Sequence, residues 1–326
     1  MKKFGMVTLI SMSFVLLGAC GTGNSADEDT SASSTANTTQ TSEAEVVYLS
    51  LGMMPATNNI PFIVAHQQGF DVENGVSIDL ENFKAAKDRD AAFQAGQVDG
   101  VSTDLVAVAM YQEAGFDVKV TGATWGQFDL VAAKDVTEVA QLKGQKVIYA
   151  RNTGTEFAVE QILETADLTE DDIEITEVAQ VPTRLELLQN DQAAAAILPE
   201  PFVTMGRMAD LNVLSSTLDI GRNPFVLGFS AETIEKKSDA IIGMYKAYDQ
   251  AIEYIQSHDK KDFIQLFIDE VGFPDNIADE IVVPDYPKAV QTTEEDFNIT
   301  FAWAKEKGLI TKDLTSKDVL SDVYFK

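Results

Sequence analysis

One segment of the chain has a weak second copy, and this internal repeat restricts the folds that the sequence can adopt. Residues 181–202 read VPTRLELLQNDQAAAAILPEPF and residues 88–105 read DRDAAFQAGQVDGVSTDL, with Arg89 aligned to Arg184 ninety-five positions later. Both copies have the order helix, polar break, short strand of small residues and polar helix start. Chance similarity between alanine- and glutamine-rich segments is the alternative explanation. The repeat predicts two α/β lobes that are built alike.

The second copy places a carboxylate at the end of a predicted strand. Thr183 is predicted to cap a helix, residues 193–198 suit a buried parallel strand, and the prolines on both sides of Glu200 stop that strand. Ligands of doubly wound α/β sheets bind at the carboxyl ends of the strands, so Glu200 is predicted to lie at a ligand site. Thr103 and Asp104 hold a similar place in the first copy, where helix capping explains them equally well.

Two other loops join a predicted strand to a predicted helix, and a third loop carries a tryptophan. Residues 52–59 and 151–156 form the first two loops, and Trp125 lies between glycines, where it could stack on a ligand or pack in the core. A loop that leads into a helix leaves backbone N–H groups free for polar ligand atoms. Such loops predict a concave small-molecule site with a few polar groups.

The composition excludes several classes of function. With 45% hydrophobic and 23% charged residues among 326, the chain is predicted to be globular, as one large domain or two of ordinary size. Its net charge of −28 argues against nucleic acid as a partner, because phosphate binding needs clustered Lys and Arg. The single cysteine, Cys20, and the distant His66 and His258 are not expected to form a metal site.

The sequence also lacks the common catalytic signatures. It contains none of the patterns GxxxxGK[ST], GxGxxG, HExxH or GxSxG. The chain is therefore predicted to bind a small molecule, to use no cofactor and not to be an enzyme.

The N-terminus has the features of an export signal. Two lysines precede an apolar run at residues 7–17, which is too short to span a membrane comfortably. The following Leu-Gly-Ala-Cys20 resembles the bacterial lipobox, which implies that residues 1–19 are a cleaved signal peptide and that Cys20 carries a lipid. A plain signal peptide that happens to contain a cysteine is the alternative. Residues 20–45 are rich in Ser, Thr, Asn and acids and are predicted to be a flexible linker.

The C-terminal part of the chain is predicted to be helical. Apolar residues such as Tyr245 and Ile252 recur at three- and four-residue spacing, which indicates core packing. These helices are predicted to form a tail on the outer side of the first lobe, at residues 239–257, 261–271 and 294–307.

Several of these segments resemble the substrate-binding lipoproteins of ABC importers, in particular the branch that binds sulfonates, nitrate, taurine and the pyrimidine precursor of thiamine. The resemblance rests on Cys20 and on the segments NNIPFIVAHQQGF, AAFQAGQVDGVSTDL, QLKGQKV and PTRLELLQNDQAAAAILPEPF. It covers residues 46–229 and implies two doubly wound α/β lobes, two crossing segments and a ligand cleft between the lobes. The implied first lobe is residues 46–130 with 225–326, which includes the helical tail, and the second is 131–224.

The resemblance also implies a function and a site. Proteins of this kind capture a small molecule outside the cytoplasm and deliver it to the permease and ATPase subunits of an ABC transporter. Here the lipid on Cys20 would hold the chain at the cell membrane, on its extracytoplasmic face. Carried over by position, the ligand contacts are Pro55, Asn58, Asn59, Thr103, Asp104, Trp125, Thr153, Gly154, Thr155, Glu200 and Phe202.

The charged residues near the predicted cleft favour one class of ligand. Arg151 and Arg184 are basic there, whereas Asp104, Asp129 and Glu200 are acidic. A buried carboxylate needs a donor or a cation opposite it, which favours an aminopyrimidine or a related heterocyclic vitamin precursor. A sulfonate, taurine or nitrate-like anion is the alternative ligand.

Two other classes of protein remain as alternatives. Fungal pyrimidine-precursor synthases resemble the same family, but they carry a cysteine-rich motif, and the only cysteine of this chain is Cys20. The other alternative is an adhesin or a structural lipoprotein, whose cleft would be filled by its own side chains.

Overall fold

Two mixed five-stranded sheets form the frame of the computed structural model, which describes residues 46–325. The strands are β1 (Val47–Met53), β2 (Val76–Asn82), β3 (Gly100–Asp104), β4 (Val118–Ala123), β5 (Asp129–Ala132), β6 (Lys146–Tyr149), β7 (Glu174–Glu177), β8 (Ala195–Leu198), β9 (Asn212–Ser216) and β10 (Phe225–Ser230). The first sheet has the order β2-β1-β3-β10-β4 and the second has the order β7-β6-β8-β5-β9. In each sheet the first three strands are parallel and the fourth is antiparallel to both of its neighbours.

Helices cover both sheets. They are α1 (Ile60–Gln67), α2 (Phe70–Glu73), α3 (Ala86–Gln94), α4 (Leu105–Glu113), α5 (Gly154–Glu164), α6 (Val181–Gln189), α7 (Phe202–Met208), α8 (Ala231–Ser257), α9 (Ile264–Leu266), α10 (Glu294–Glu306) and α11 (Ser316–Val319). Single turns of 3-10 or π helix lie at Thr57–Asn59, Val139–Leu142, Glu170–Asp172, Lys260–Asp262, Phe267–Val271 and Asp275–Ile277. None of the helices within residues 46–325 combines the length and the apolar character that crossing a membrane requires.

The chain passes from one sheet to the other at residues 124–128 and returns at residues 217–224. The strand that follows each passage, β5 or β10, becomes the antiparallel strand of the sheet that the chain has entered. We call the first sheet with α1–α4 and α8–α11 the first lobe, and the second sheet with α5–α7 the second lobe. The predicted lobe boundaries, given above, lie close to these passages and stay a prediction. The predicted signal peptide, the lipidated Cys20 and the linker lie outside the described residues.

The repeat seen in the sequence corresponds to a repeated contact in the two lobes. Arg89 of α3 donates from Nη1 to the backbone carbonyl of Ser102 in β3, at 3.0 Å. Arg184 of α6 donates from Nη1 to the backbone carbonyl of Ile197 in β8, at 3.2 Å. Each bond joins a helix to the strand that follows it, and both arginines are buried. The prediction of two α/β lobes built alike is confirmed.

The helical tail belongs to the first lobe, as predicted. Tyr245 and Ile252 of α8 lie in one buried cluster with Leu49 and Leu51 of β1. Phe301 of α10 lies in a second buried cluster, together with side chains of α4 and β4. A separate cluster forms the core of the second lobe. Each lobe therefore has its own apolar core.

Three local predictions were wrong in detail. Thr183 does not cap α6, because the helix begins at Val181 and Pro182 occupies its first turn, where a fixed φ is favourable. The polar helix start predicted in the first copy belongs instead to the strand Gly100–Asp104, since pairing with β10 extends this strand to Asp104. The helix predicted at 261–271 is broken into short pieces near Phe263, whose φ of −138° is not helical.

Gly243 is a position in the core of α8 where an added methyl group is expected to be harmful. A Cβ atom there would lie 2.5 Å from the backbone oxygen of Asn74. We expect Gly243→Ala to lower the free energy of unfolding by about 1–3 kcal/mol, as overpacking does, in spite of the better helix propensity of alanine. Urea denaturation measures this change.

Gly206 of α7 provides the matched control. A Cβ atom at Gly206 would lie 3.3 Å from a methyl group of Val131, a side chain that can shift. Gly206→Ala is therefore expected to be close to neutral. Equal losses in the two variants would contradict the prediction.

Candidate functional site

The loop after β1 supplies the first-lobe side of the candidate cleft. Asn58 is 5% exposed, and its Nδ2 donates to the Ser102 hydroxyl at 3.0 Å and to the Thr124 hydroxyl at 3.2 Å. Asn59 Nδ2 donates to the carbonyl of Met54 at 2.7 Å, and Pro55 is half-buried beside it. These bonds hold the loop in place. The side-chain amides of Asn58 and Asn59, which were predicted to contact a ligand, thus donate to acceptors of the protein itself.

Thr103 and Asp104 lie at the end of β3, where the chain enters α4. The Thr103 hydroxyl accepts a bond from Arg89 Nη2 at 2.7 Å. Asp104 Oδ1 accepts from the backbone N–H of Ala107 at 3.0 Å, so the helix-capping interpretation of Asp104 is correct. Burial raises the pKa of Asp104, while the charge of Arg89 acts in the opposite direction.

Asp104 also reaches the second lobe. A Cβ atom on Gly154 would lie 2.8 Å from an Asp104 carboxyl oxygen, so that carboxyl group lies against the first residue of α5. The Thr153 hydroxyl caps α5 by accepting from the Thr155 N–H at 3.1 Å, and both threonine hydroxyls also bond to the Ala150 carbonyl. An acid at a helix N-terminus is favourable, because the N–H groups there carry partial positive charge. Two predicted site segments, Thr103–Asp104 of the first lobe and Thr153–Thr155 of the second, therefore meet here.

Glu200 and Phe202 lie at the end of β8, as the sequence predicted. Glu200 accepts from the Thr204 backbone N–H and from the Thr204 hydroxyl, both at 3.0 Å, and so helps to fix the start of α7. Burial raises the pKa of Glu200. Phe202 is half-buried and packs against the second-lobe core.

Asp129 is a buried carboxyl group beside Glu200 that the predicted set of ligand contacts did not include. It is the first residue of β5, lies opposite Leu198 of β8, and is 1% exposed. Gln127 Nε2 donates to both of its oxygens, at 3.0 and 2.9 Å. Burial raises the pKa of Asp129 to about 7, and the charge of Glu200 contributes to the rise. Its place at the first crossing into the second sheet was the available signal, but no sequence pattern indicated that its side chain is buried.

A tyrosine of the tail is hydrogen-bonded to the loop after β1. The Tyr286 hydroxyl donates to the Thr57 carbonyl, in the loop that carries Asn58, at 2.7 Å. Burial raises the pKa of Tyr286, and the charges of Tyr248 and Glu200 contribute to the rise.

Aromatic side chains line the passages between the lobes. The rings of Phe128 and Phe225, one from each crossing segment, have centroids 4.6 Å apart. Trp125 is half-buried and packs against the first-lobe core, whereas Met54 of the first lobe packs against the second-lobe core. The predicted stacking of Trp125 on a ligand stays a prediction.

Two of the basic side chains near the cleft, Arg184 and Arg151, are bound to acceptors of the protein. Arg184 donates to three backbone carbonyls, those of Val178, Ala179 and Ile197. Arg151 lies 3.6 Å from Glu156 and 3.7 Å from Glu170. The positive charge of Arg207, an exposed residue of α7, acts against the rise in the pKa values of Asp129 and Glu200.

The lobes are closed on each other in this structure. Asn58, Asn59, Thr103 and Thr155 are all buried, and Asp104 contacts Gly154 across the lobes. An open depression of about 670 Å³ on the second lobe, lined by Lys134, Gln145 and Gln192 among others, lies at the opposite ends of β6 and β8 and includes none of the candidate site residues.

Two α/β lobes of equivalent topology, with polar strand ends facing each other, define the periplasmic-binding-protein class of fold. A sequence model described as NMT1/THI5 like matches residues 56–262. The chain therefore belongs to the NMT1/THI5-like family. No curated protein sequence matches it significantly.

Solved structures with the same fold include binding proteins and an enzyme. The periplasmic aliphatic sulphonate binding protein SsuA from Escherichia coli is 19% identical, with a TM-score of 0.70 over 83% of this chain and 91% of that chain. The ligand binding component of an ABC-type import system from Staphylococcus aureus is 13% identical, with a TM-score of 0.72 over 86% and 98%. The desulfurization enzyme DSZB is 12% identical, with a TM-score of 0.64 over 86% and 98%. At these identities the likeness shows the fold.

Proposed function

We propose that the protein captures a small molecule between its lobes, outside the cytoplasm, and delivers it to the permease and ATPase subunits of an ABC importer. The observation that carries this proposal is the meeting of strand-end loops from both lobes, with Asp104 against Gly154. Membership of the NMT1/THI5-like family and the fold shared with SsuA support it. A lipid on Cys20 would keep the protein at the membrane that contains the permease.

The predicted contacts fall into two groups of roles. Asp104, Glu200 and the cap of α5 at Thr153–Gly154 are proposed to bind the polar atoms of the ligand. Pro55, Trp125 and Phe202 would form apolar walls. Asn58, Asn59, Thr103 and Thr155 use their polar groups on the protein itself, so we propose that they shape the cleft.

The ligand is proposed to be an aminopyrimidine or a related heterocycle with N–H donors. Three carboxyl groups, those of Asp104, Asp129 and Glu200, belong to the facing loops, and a buried carboxylate needs a donor or a cation opposite it. The nearby Arg151 and Arg184 are bound to protein acceptors. The alternative, a sulfonate, taurine or nitrate-like anion, is supported by the fold shared with the E. coli sulphonate binding protein.

Glu200→Gln distinguishes the two ligand classes by the sign of its effect. Glutamine keeps an acceptor for Thr204 and removes the negative charge. If the ligand donates to Glu200, its dissociation constant is expected to rise about tenfold to hundredfold, the usual value of a hydrogen bond to a charged group. Calorimetric titration with a hydroxymethyl aminopyrimidine and with ethanesulfonate measures this.

The matched control is Glu186→Gln, an exposed glutamate on α6. It is expected to leave affinity unchanged. A tighter rather than weaker complex of Glu200→Gln with ethanesulfonate would reject the heterocycle and support the anion. An unchanged affinity for every ligand that binds would remove Glu200 from the site.

A structural or adhesive lipoprotein is the second candidate, and one observation favours it. Side chains of the two lobes already pack against each other at the candidate cleft, as they would if no ligand entered. Native mass spectrometry of protein purified from its own host tests this candidate. A co-purified small molecule would reject it.

A further inference from the structure

A second contact between the lobes lies away from the candidate cleft, between α10 of the tail and α5. The indole N–H of Trp303 donates to Glu160 Oε2 at 2.8 Å. The Trp303 ring packs edge-on against Phe157, with centroids 5.5 Å apart. Phe157 is a second-lobe residue, yet it is buried in a first-lobe cluster that contains Phe297 and Trp303. Helix α5 is therefore attached to the first lobe by both apolar and polar contacts.

Lys307, directly after α10, joins three glutamates of the second lobe. Its Nζ lies 2.8 Å from Glu160, 2.7 Å from Glu170 and 3.5 Å from Glu156. One oxygen of each carboxylate lies within 4.8 Å of the others, a spacing that suits a cation, and the ammonium group provides that cation. Burial opposes the charged form, but the hydrogen bonds to Glu160 and Glu170 raise the pKa of Lys307 above its ordinary value.

The charge balance of this cluster depends on the first lobe. Within the second lobe, Arg151 is the cation near the three carboxylates, at 3.6 Å from Glu156 and 3.7 Å from Glu170. Glu156 is 1% exposed at its side chain in this arrangement, so water screens its attraction to Lys307 only weakly. Separation of the lobes at this point would thus break the ion pairs of Lys307 with the three carboxylates, which would then be hydrated without that cation.

Helix α10 itself is held on the first lobe. Phe297 and Phe301 pack in the cluster that contains side chains of α4. Beyond α10, the Thr311 hydroxyl donates to Glu113 of α4 at 2.7 Å. A movement of the second lobe relative to the first would therefore act on the contacts of Trp303 and Lys307.

We propose that Trp303 and Lys307 form an interlobe latch, which holds the second lobe in the closed arrangement through Glu156, Glu160 and Glu170. Opening of the cleft breaks the latch. The proposal goes beyond the proposed function, because it concerns the resting position of the lobes and applies without any ligand.

The distance between the lobes in ligand-free protein tests the latch. Spin labels on Lys87→Cys of α3 and Glu186→Cys of α6, both exposed, report this distance by pulsed electron resonance in the full chain carrying Cys20→Ser. In otherwise wild-type protein we expect one main, short distance. Lys307→Met is expected to raise the ratio of open to closed molecules about tenfold, after allowance for the partial exposure of the lysine.

Lys305→Met is the matched control. It removes the same charge two positions earlier in the chain, from a lysine that pairs with Asp313 inside the tail. We expect its distance distribution to match the wild type. An unchanged distribution in Lys307→Met would overturn the latch, and so would equal shifts in the two variants.

Glu160→Gln keeps the test decisive if Lys307→Met does not fold. Glutamine retains an oxygen for the indole N–H of Trp303 but removes the charge that Lys307 contacts. A smaller shift in the same direction is expected. A wild-type distribution in this variant would contradict the proposal. Because the measurement uses no ligand, its result is independent of the ligand and of the transport role proposed above.

Discussion

Replacement of Arg89 with alanine is expected to lower the free energy of unfolding by about 3–5 kcal/mol, the usual effect of removing one partner from a buried ion pair. Arg89 is 5% exposed, and its guanidinium donates twice to Asp90, at 2.9 and 2.8 Å. Without the arginine this carboxylate would lose its charge partner. The carboxyl group of Asp104 would also lose the positive charge that opposes the rise of its pKa on burial.

The equivalent replacement, Arg184→Ala, is expected to have a smaller effect of about 1–3 kcal/mol. In the described part of the chain the Arg184 guanidinium donates to three backbone carbonyls, so its loss leaves acceptors unpaired but removes no carboxylate's partner. Burial lowers the pKa of Arg184 to about 10, which shows that the charged form is disfavoured where it lies. Removal of that buried charge offsets part of the loss.

Urea denaturation of both variants, followed by circular dichroism, measures the difference. Lys87→Ala, an exposed residue on the same helix as Arg89, is the control and is expected to change stability little. Arg89→Lys is expected to recover only part of the loss, since an ammonium group cannot reproduce the paired bonds of a guanidinium. Equal losses in Arg89→Ala and Arg184→Ala would show that the acids near Arg89 contribute nothing to the difference.

This pair of arginines also shows what the sequence could predict. The repeat aligned Arg89 with Arg184, and the structure gives both the same contact with the following strand. Local sequence was enough to show that the two arginines hold equivalent positions, because each lies in a helix that is followed directly by its partner strand. The position of Glu200 at the end of a strand was likewise predicted from its neighbours in the chain, the prolines on either side of it.

Contacts between distant parts of the chain could not be predicted in this way. Lys307 and Glu160 are 147 positions apart, and neither lies in a motif. Asp129 could be recognised as acidic, but its burial depends on β8 and β9, which follow much later. Helix periodicity and turn signals describe neighbours along the chain, so they carry no information on which faces of the two lobes meet.

Asp129 is expected to make the stability of the protein depend strongly on pH. Its pKa of about 7 in the folded state lies above the ordinary value of 3.8, so the folded state binds the proton more tightly than the unfolded chain does. The stability from this group is therefore fully present below about pH 4 and is lost as the pH rises through 7. At 1.36 kcal/mol per pH unit, the difference between the two pKa values corresponds to about 4 kcal/mol at pH 8.

Asp129→Asn is the variant that isolates this effect, because asparagine cannot ionise and still offers an oxygen to Gln127. We expect the variant and the wild type to have similar unfolding free energies near pH 4. Above pH 7 the variant is expected to be more stable by up to about 4 kcal/mol. Urea denaturation at pH 4, 6 and 8 measures the difference at each step.

Comparison with a surface carboxylate removes the effects of all other titrating groups. Asp135→Asn, an exposed position in the same lobe, is the control, and its profile is expected to run parallel to the wild type. A parallel profile for Asp129→Asn as well would mean that Asp129 ionises as freely in the folded protein as in water.

The charge of Glu200 contributes to the raised pKa of Asp129. In the same series, the unfolding free energy of Glu200→Gln is therefore expected to fall less steeply with pH than that of the wild type. If the slope is unchanged in Glu200→Gln, the charge of Glu200 does not affect the pKa of Asp129, and burial alone raises that pKa.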